Sequence, residues 1–184
     1  MKATGVVRRI DDLGRVVIPK EIRRVHRIKE GDPLEIFTDK EGEIILKKYS
    51  PIGELTEFAS SYAEIIAKTT GHITCITDKD TVIAVSGGSK KEFLEKNLSK
   101  ELEEVLENKE VFKSKENNEI AIPITQNEGR ERIYNGQVIY PIISDGDVIG
   151  SVILLAKEPN KKMGEAEDKV AQSAAGFLGN HLEI

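Results

Sequence analysis

Residues 1–50 offer four short β-favouring runs, two acidic turns and about two turns of helix, with nothing to staple them together. The first run, Thr4-Gly5-Val6-Val7-Arg8-Arg9-Ile10, stops at Asp11-Asp12-Leu13-Gly14, and Arg15-Val16-Val17-Ile18 follows as its return strand. Pro19 suits the first position of a helix, because its fixed φ is already helical and its missing N–H would have had no partner there. Lys20 to His26 then gives two turns, with Ile22 and Val25 on one side and Arg23 and Arg24 beside them. After the break at Gly31-Asp32, residues 34–38 and 43–49 read as a second hairpin around Asp39-Lys40-Glu41-Gly42. Elements this short cannot bury enough apolar surface to offset chain entropy without a disulfide or metal. The only cysteine, Cys75, lies outside the segment and excludes an intramolecular disulfide, a CxxC pair and a cysteine-based zinc site. The segment is therefore expected to fold by pairing with a second copy of itself.

Charge separates the same segment from the rest. The whole chain has a formal charge of −5, yet residues 1–50 carry twelve basic against nine acidic side chains, leaving +3 there and −8 over residues 51–184. Within residues 1–29 nine basic groups face three acids, and six of the nine are arginines. A planar guanidinium fork matches phosphate and guanine edges, whereas solvated surfaces more often use lysine. A two-fold dimer would present two sets of Arg8, Arg15, Arg23 and Arg24, a geometry suited to two-fold-related double-stranded DNA. Arg23 and Arg24, projecting from the helix start, are expected to make the principal groove contacts, with Arg8 and Arg15 on strands beside them. Arg9 and Lys2 join the DNA-binding set on charge alone.

Thr4-Gly5 through Arg9, the run Asp12-Leu13-Gly14-Arg15-Val16-Val17-Ile18-Pro19, Glu21-Ile22-Arg23-Arg24 and Asp32-Pro33-Leu34-Glu35-Ile36 resemble the AbrB-type swapped-hairpin DNA-binding domain of Bacillus transition-state regulators. The resemblance spans residues 2–50. It implies an intertwined dimer of interleaved hairpins, with Arg8, Arg15, Arg23 and Arg24 at positions where the family contacts DNA under loose sequence rules. Loose rules follow physically when part of the readout is duplex shape rather than base hydrogen bonds.

Beyond Ser50 the pattern changes. Pro51 can open a helix in which Ile52, Leu55, Phe58, Tyr62, Ile65, Ile66 and Thr69 recur every three or four residues up to Gly71; residues 51–70 thus read as a connector helix into a second domain, 71–184. A closing helix over residues 166–182 carries Val170, Ala171, Ala174, Phe177, Leu178 and Leu182 on one broad face. Both helices are expected to cover a sheet and to pack partly against another subunit. Strands are expected at 72–77, 81–85, 119–124, 137–143 and 148–155, with a helix near 90–109 and an Asp145-Gly146 hairpin turn. This is an α+β chain: a small swapped-hairpin β domain followed by an antiparallel-sheet domain. The hairpin over 138–155 resembles the closing hairpin of a GAF domain, in which residues 86–135 would be the lid region over a small ligand. With this domain attached, the whole chain resembles sporulation regulators of spore-forming Firmicutes, which implies a homotetramer joined through the GAF-like domains.

No catalytic constellation emerges. Ser86-Gly87-Gly88-Ser89-Lys90 lacks the spacing and the Gly-Lys-Ser/Thr ending of a phosphate loop and reads as a turn before a helix. His26, His72 and His181 have no ligand partners at metal spacing, and Cys75 reads as a buried apolar residue. No cofactor and no metal are expected, the chain is not expected to be an enzyme, and the sequence names no effector for the GAF-like domain, which also lacks the Asn-Lys-Phe-Asp-Glu signature of cyclic-nucleotide-binding relatives. No run approaches the roughly 20 apolar residues of a membrane span, so the expected location is the cytoplasm, on the nucleoid. The expected function is transcriptional regulation of late, forespore sporulation genes, in either direction. The rival is a small-molecule sensor acting on a protein partner, with the N-terminal segment serving mainly to dimerise.

Overall fold

In the computed structural model, which describes residues 5–114, 120–126, 128, 134–156, 158 and 163–182 apart from the Glu54 side chain, the chain divides between Tyr49 and Ser50 into two units. The first contains α1 (Lys20–Val25) and the antiparallel pair β1 (Leu34–Thr38) and β2 (Ile44–Lys48), in register from Leu34 opposite Lys48 to Thr38 opposite Ile44. One turn design is used twice. Asp11 Oδ1 accepts the N–H groups of Leu13 and Arg15, and Asp39 Oδ1 those of Glu41 and Glu43. In each, a glycine at positive φ closes the loop, Gly14 at 76° and Gly42 at 84°.

Two expectations for this unit need correction. Residues 5–10 and 15–18 do not form strands; a ladder needs a partner strand, and one chain closes the Asp11 turn but leaves its two arms outside any sheet. Arg23 and Arg24 lie in the last turn of α1 rather than at its start, because the helix ends after six residues and passes into a left-handed residue, Arg27, at φ 54°. Pro19 is the only buried residue among 5–49. Val7, Ile10, Leu13, Val17, Val25 and Ile44 all stand more than half exposed, so this unit by itself has no core.

The second unit is built the opposite way. A 3-10 turn at Ile52–Leu55 leads into α2 (Thr56–Thr70), which ends on left-handed Gly71, whose N–H returns to the Ala67 carbonyl. There follow β3 (Ile73–Thr77), β4 (Val82–Ser86), α3 (Lys90–Phe93), α4 (Lys100–Glu107), β5 (Phe112–Ser114), β6 (Gly136–Ser144), β7 (Asp147–Ala156) and α5 (Glu165–His181). The sheet runs β4-β3-β7-β6-β5, antiparallel throughout. Helices α2 and α5 cover one face, where Ala59, Ala63, Ala171 and Ala174 let them approach Ile76, Ile142, Val152 and Leu154. Against the other face, Phe93, Leu98, Leu102 and Ile124 pack on Cys75, Ile139 and Ile153. Asp145 and Gly146, at φ 49° and 81°, form the β6–β7 turn with both central residues left-handed, as the twist of a two-residue hairpin demands.

The helix expected near 90–109 is two helices, since the chain between them bends to bridge Thr81 to Asn97 and Leu98 to Thr125. Residues 120–124 are not a strand. Pro123 has no N–H to give a ladder, and the Gln137 side chain stands in for a neighbouring strand, accepting from Ile122 N and donating to Ile122 O, both at 2.9 Å. The sheet edge is instead β5, which the sequence pattern did not single out.

An ion-pair triad ties α5 to the sheet. Lys113 Nζ lies 2.5 Å from Asp168 Oδ1, to which Tyr140 Oη also donates at 2.8 Å. The Lys113 ammonium holds the Asp168 carboxyl below its ordinary range, while burial pushes the Tyr140 phenol up. A carboxylate whose pKa is depressed on folding adds stability above its unfolded value and loses it as pH falls through the folded one. Stability against denaturant should therefore drop below about pH 4, and Asp168→Asn should be less stable at neutral pH and show a shallower acid limb. An unchanged limb in that variant would remove Asp168 from the account.

Candidate nucleic-acid interface

The arginines of the first unit are distributed over its turn, its arms and its helix. Arg8 and Arg9 lie exposed on the arm before the Asp11 turn, and Arg15 opens the arm after it. Arg23 is half-buried and Arg24 exposed in α1. Lys2 lies outside the described residues. Among those residues Arg8, Arg9, Arg23 and Arg24 form no ion pair, so their charges face solvent uncompensated. Arg15 differs: its Nε donates to Asp11 Oδ2 at 2.8 Å, while 69% of its side chain stays exposed. The Arg15 backbone N–H bond first, and then this side-chain contact, hold the Asp11 carboxyl below its usual range. Sequence reading placed Asp11 only in a turn; the signal available was an acid four residues before an arginine across a glycine-closed loop.

Arg8 also borders a groove lined by Val6, Val16, Ile18, Ile22, Ile28 and Leu46. These apolar side chains line a depression that the described residues of the first unit leave open. Asp32 and Lys48 pair at 3.2 Å, and Lys48 Nζ also donates to the Arg27 carbonyl, which fastens the Gly31-Asp32 break to β2.

The second unit presents a different surface. Phe58 and Tyr62 on α2, with Phe177 and His181 on α5, form a cluster with ring centroids 5.5 to 6.0 Å apart. Phe177 is 48% exposed and Ile65 59%. The sequence pattern placed these phenylalanines on helix faces and found no ligand partner for His181; here it stacks on both phenylalanine rings. In the lid region, Phe93, Leu98, Leu102 and Ile124 pack with Cys75 of the sheet, and burial pushes the Cys75 thiol pKa far above its ordinary range. His72 Nε2 lies 3.8 Å from Glu167 Oε1. Among the described residues no three His, Cys, Asp or Glu side chains gather as metal ligands, and no helix is long and apolar enough to cross a membrane.

Comparison with known proteins follows the same division. Residues 54–183 match the family described as stage V sporulation protein T C-terminal, transcription factor, and residues 7–54 match antidote-toxin recognition MazE, bacterial antitoxin. Stage V sporulation protein T of Bacillus subtilis (strain 168) is 49% identical over 183 residues, covering 100% of this chain and 99% of that protein. The transition state regulatory protein AbrB of the same organism is 63% identical over 51 residues, 28% of this chain and 52% of that protein. The GAF domain of an Acinetobacter phosphoenolpyruvate-protein phosphotransferase superposes with a TM-score of 0.52 at 15% identity, covering 70% of this chain and 81% of that one, a likeness of fold. The family matched over most of the chain is described as a transcription factor and is not an enzyme family, which puts the chain in the class of two-unit transcription factors. The chain belongs to the stage V sporulation protein T family.

Proposed function

We propose that the chain binds double-stranded DNA through Arg8, Arg15, Arg23 and Arg24, with Arg9 and Lys2 adding charge, as an intertwined dimer of its first unit. One observation carries this reading: residues 5–49 bury only Pro19 while presenting an apolar groove and the arginines Arg8, Arg9, Arg23 and Arg24, which form no ion pair among the described residues. A second copy would cover the groove and bring two sets of arginines about one axis. The resulting regulator acts on sporulation genes of the late, forespore programme, up or down, in the cytoplasm on the nucleoid. Arginine-to-phosphate contacts supply most of the affinity, and base edges and duplex shape the discrimination.

The second unit assembles such dimers into tetramers through α2 and α5. The exposed Phe58, Tyr62, Phe177 and His181 cluster supports this, since large apolar groups at a helix-pair surface favour burial against a like surface. Response to a small-molecule effector belongs to this unit's lid face, by opening of the side-chain packing there. Phe177→Glu should halve the mass of the assembly in sedimentation while leaving the first unit dimeric. DNA affinity should then fall by about a hundredfold or more, the advantage lost when linked heads become independent. Binding measured at several salt concentrations tests the whole reading: affinity must fall steeply with salt, and salt-independent or absent binding at low salt would overturn it in favour of a sensor that acts on a protein partner.

A further inference from the structure

The two Asp-x-x-Gly turns of the first unit act as an internal control on one contact. Both close by the same pair of backbone bonds to a single carboxylate oxygen, Oδ1 of Asp11 and of Asp39. Four residues after the aspartate, the second turn carries Glu43 and closes without an ion pair among the described residues; the first carries Arg15, whose Nε donates to the other oxygen, Asp11 Oδ2. The ion pair is thus surplus to what the turn requires, and its effect falls on the arginine.

We infer that Asp11 is the positioning residue for Arg15, holding the guanidinium by its Nε–H so that its Nη edge is presented to duplex DNA. An arginine has five N–H donors. The contact with Asp11 engages one of them and leaves the Nη groups, which form the fork that meets guanine O6 and N7 or a phosphate. A long side chain held at one end loses less rotamer freedom on binding. The carboxylate also has an opposite effect at a distance, because its negative charge repels any backbone that approaches without the fork being engaged. Asp11 therefore raises affinity where Arg15 finds its acceptor and lowers it elsewhere, which is discrimination.

This rests on the DNA-binding reading and is tested apart from it. The full-length protein would be assayed against a duplex that it has itself enriched from a random-sequence pool, and against a random-sequence duplex of equal length. Asp11→Asn keeps Oδ1 for the turn and replaces Oδ2 with an amide that cannot accept from Arg15. It should weaken binding to the enriched duplex by about tenfold per dimer and leave binding to the random duplex equal or tighter. Asp39→Asn should leave the ratio of the two affinities unchanged. In an Arg15→Ala background Asp11→Asn should remove no further discrimination, a comparison that stands even where the single variant lowers stability. A ratio preserved in Asp11→Asn but lost in Arg15→Ala would overturn the positioning role alone. A ratio preserved in Arg15→Ala as well would overturn discrimination through Arg15, and undiminished affinity for both duplexes in that variant would overturn the assignment of Arg15 to DNA.

Discussion

Arg24→Ala in the full-length chain should weaken binding to an enriched duplex by about 2–6 kcal/mol per dimer, since each of two copies loses a contact of ~1–3 kcal/mol. That is a loss of roughly thirtyfold or more. Arg24 is exposed and forms no ion pair among the described residues, so truncation leaves the unfolding midpoint and the sedimentation coefficient where they were. The salt dependence tells which kind of contact has gone. If Arg24 meets phosphate, enriched and random duplexes suffer alike and the log–log salt slope falls by about 2 per dimer; if it meets a base edge, the loss is confined to the enriched duplex. Undiminished affinity for both duplexes would take Arg24 out of the interface.

The largest effect on folding is expected at Gly150. It lies in β7 where β3 ends, beside the Thr77–Ser151 hydroxyl pair at 2.7 Å, and a methyl group there would overlap the Thr77 carbonyl oxygen and crowd Asp78 Cα at 3.2 Å. Both obstacles are backbone, held by the ladders on either side of β7, so neither can turn aside as a flexible side chain would. Gly150→Ala should destabilise the second unit by about 3 kcal/mol or more, the upper range for overpacking, read as a lowered unfolding midpoint and, on the proposed assembly, loss of the tetramer. Gly146→Ala, whose added carbon meets nothing, serves as the comparison: its penalty comes only from a left-handed backbone at φ 81°, about 1–2 kcal/mol. Equal effects at the two positions would show that the close approach of β3 to β7 is not what demands glycine.

The second unit was readable because its signals are local. Gly71 after a three-and-four periodic run, Asp145-Gly146 between two apolar runs, and the alanines of α2 and α5 each state their structure within a few residues. What escaped was non-local. Gln137 replaces a strand for Ile122 across the sheet edge, and no periodicity encodes a side chain acting as backbone. The first unit shows the converse: its turns were legible, yet residues 5–10 and 15–18, which pattern as strands, stay outside the sheets of one chain, because a ladder needs a partner strand. Asp11 was visible as a turn residue, but which oxygen closes the loop and which holds Arg15 is a matter of geometry alone.

If the first unit works as the proposed intertwined dimer, a head whose residues 5–49 bury only Pro19 has no core of its own to return to between partners. Dissociation and unfolding then become one event, with stability rising as the protein accumulates. Two chains, once interleaved, exchange their halves only by crossing the full unfolding barrier, so mixed heads must form at synthesis rather than by shuffling finished ones. A newly made chain at low abundance would then present unfolded hairpins to proteases, and an assembled one would not. The cell's supply of this regulator would thus switch between short-lived and durable across a narrow range of expression, a threshold set by the absence of a core.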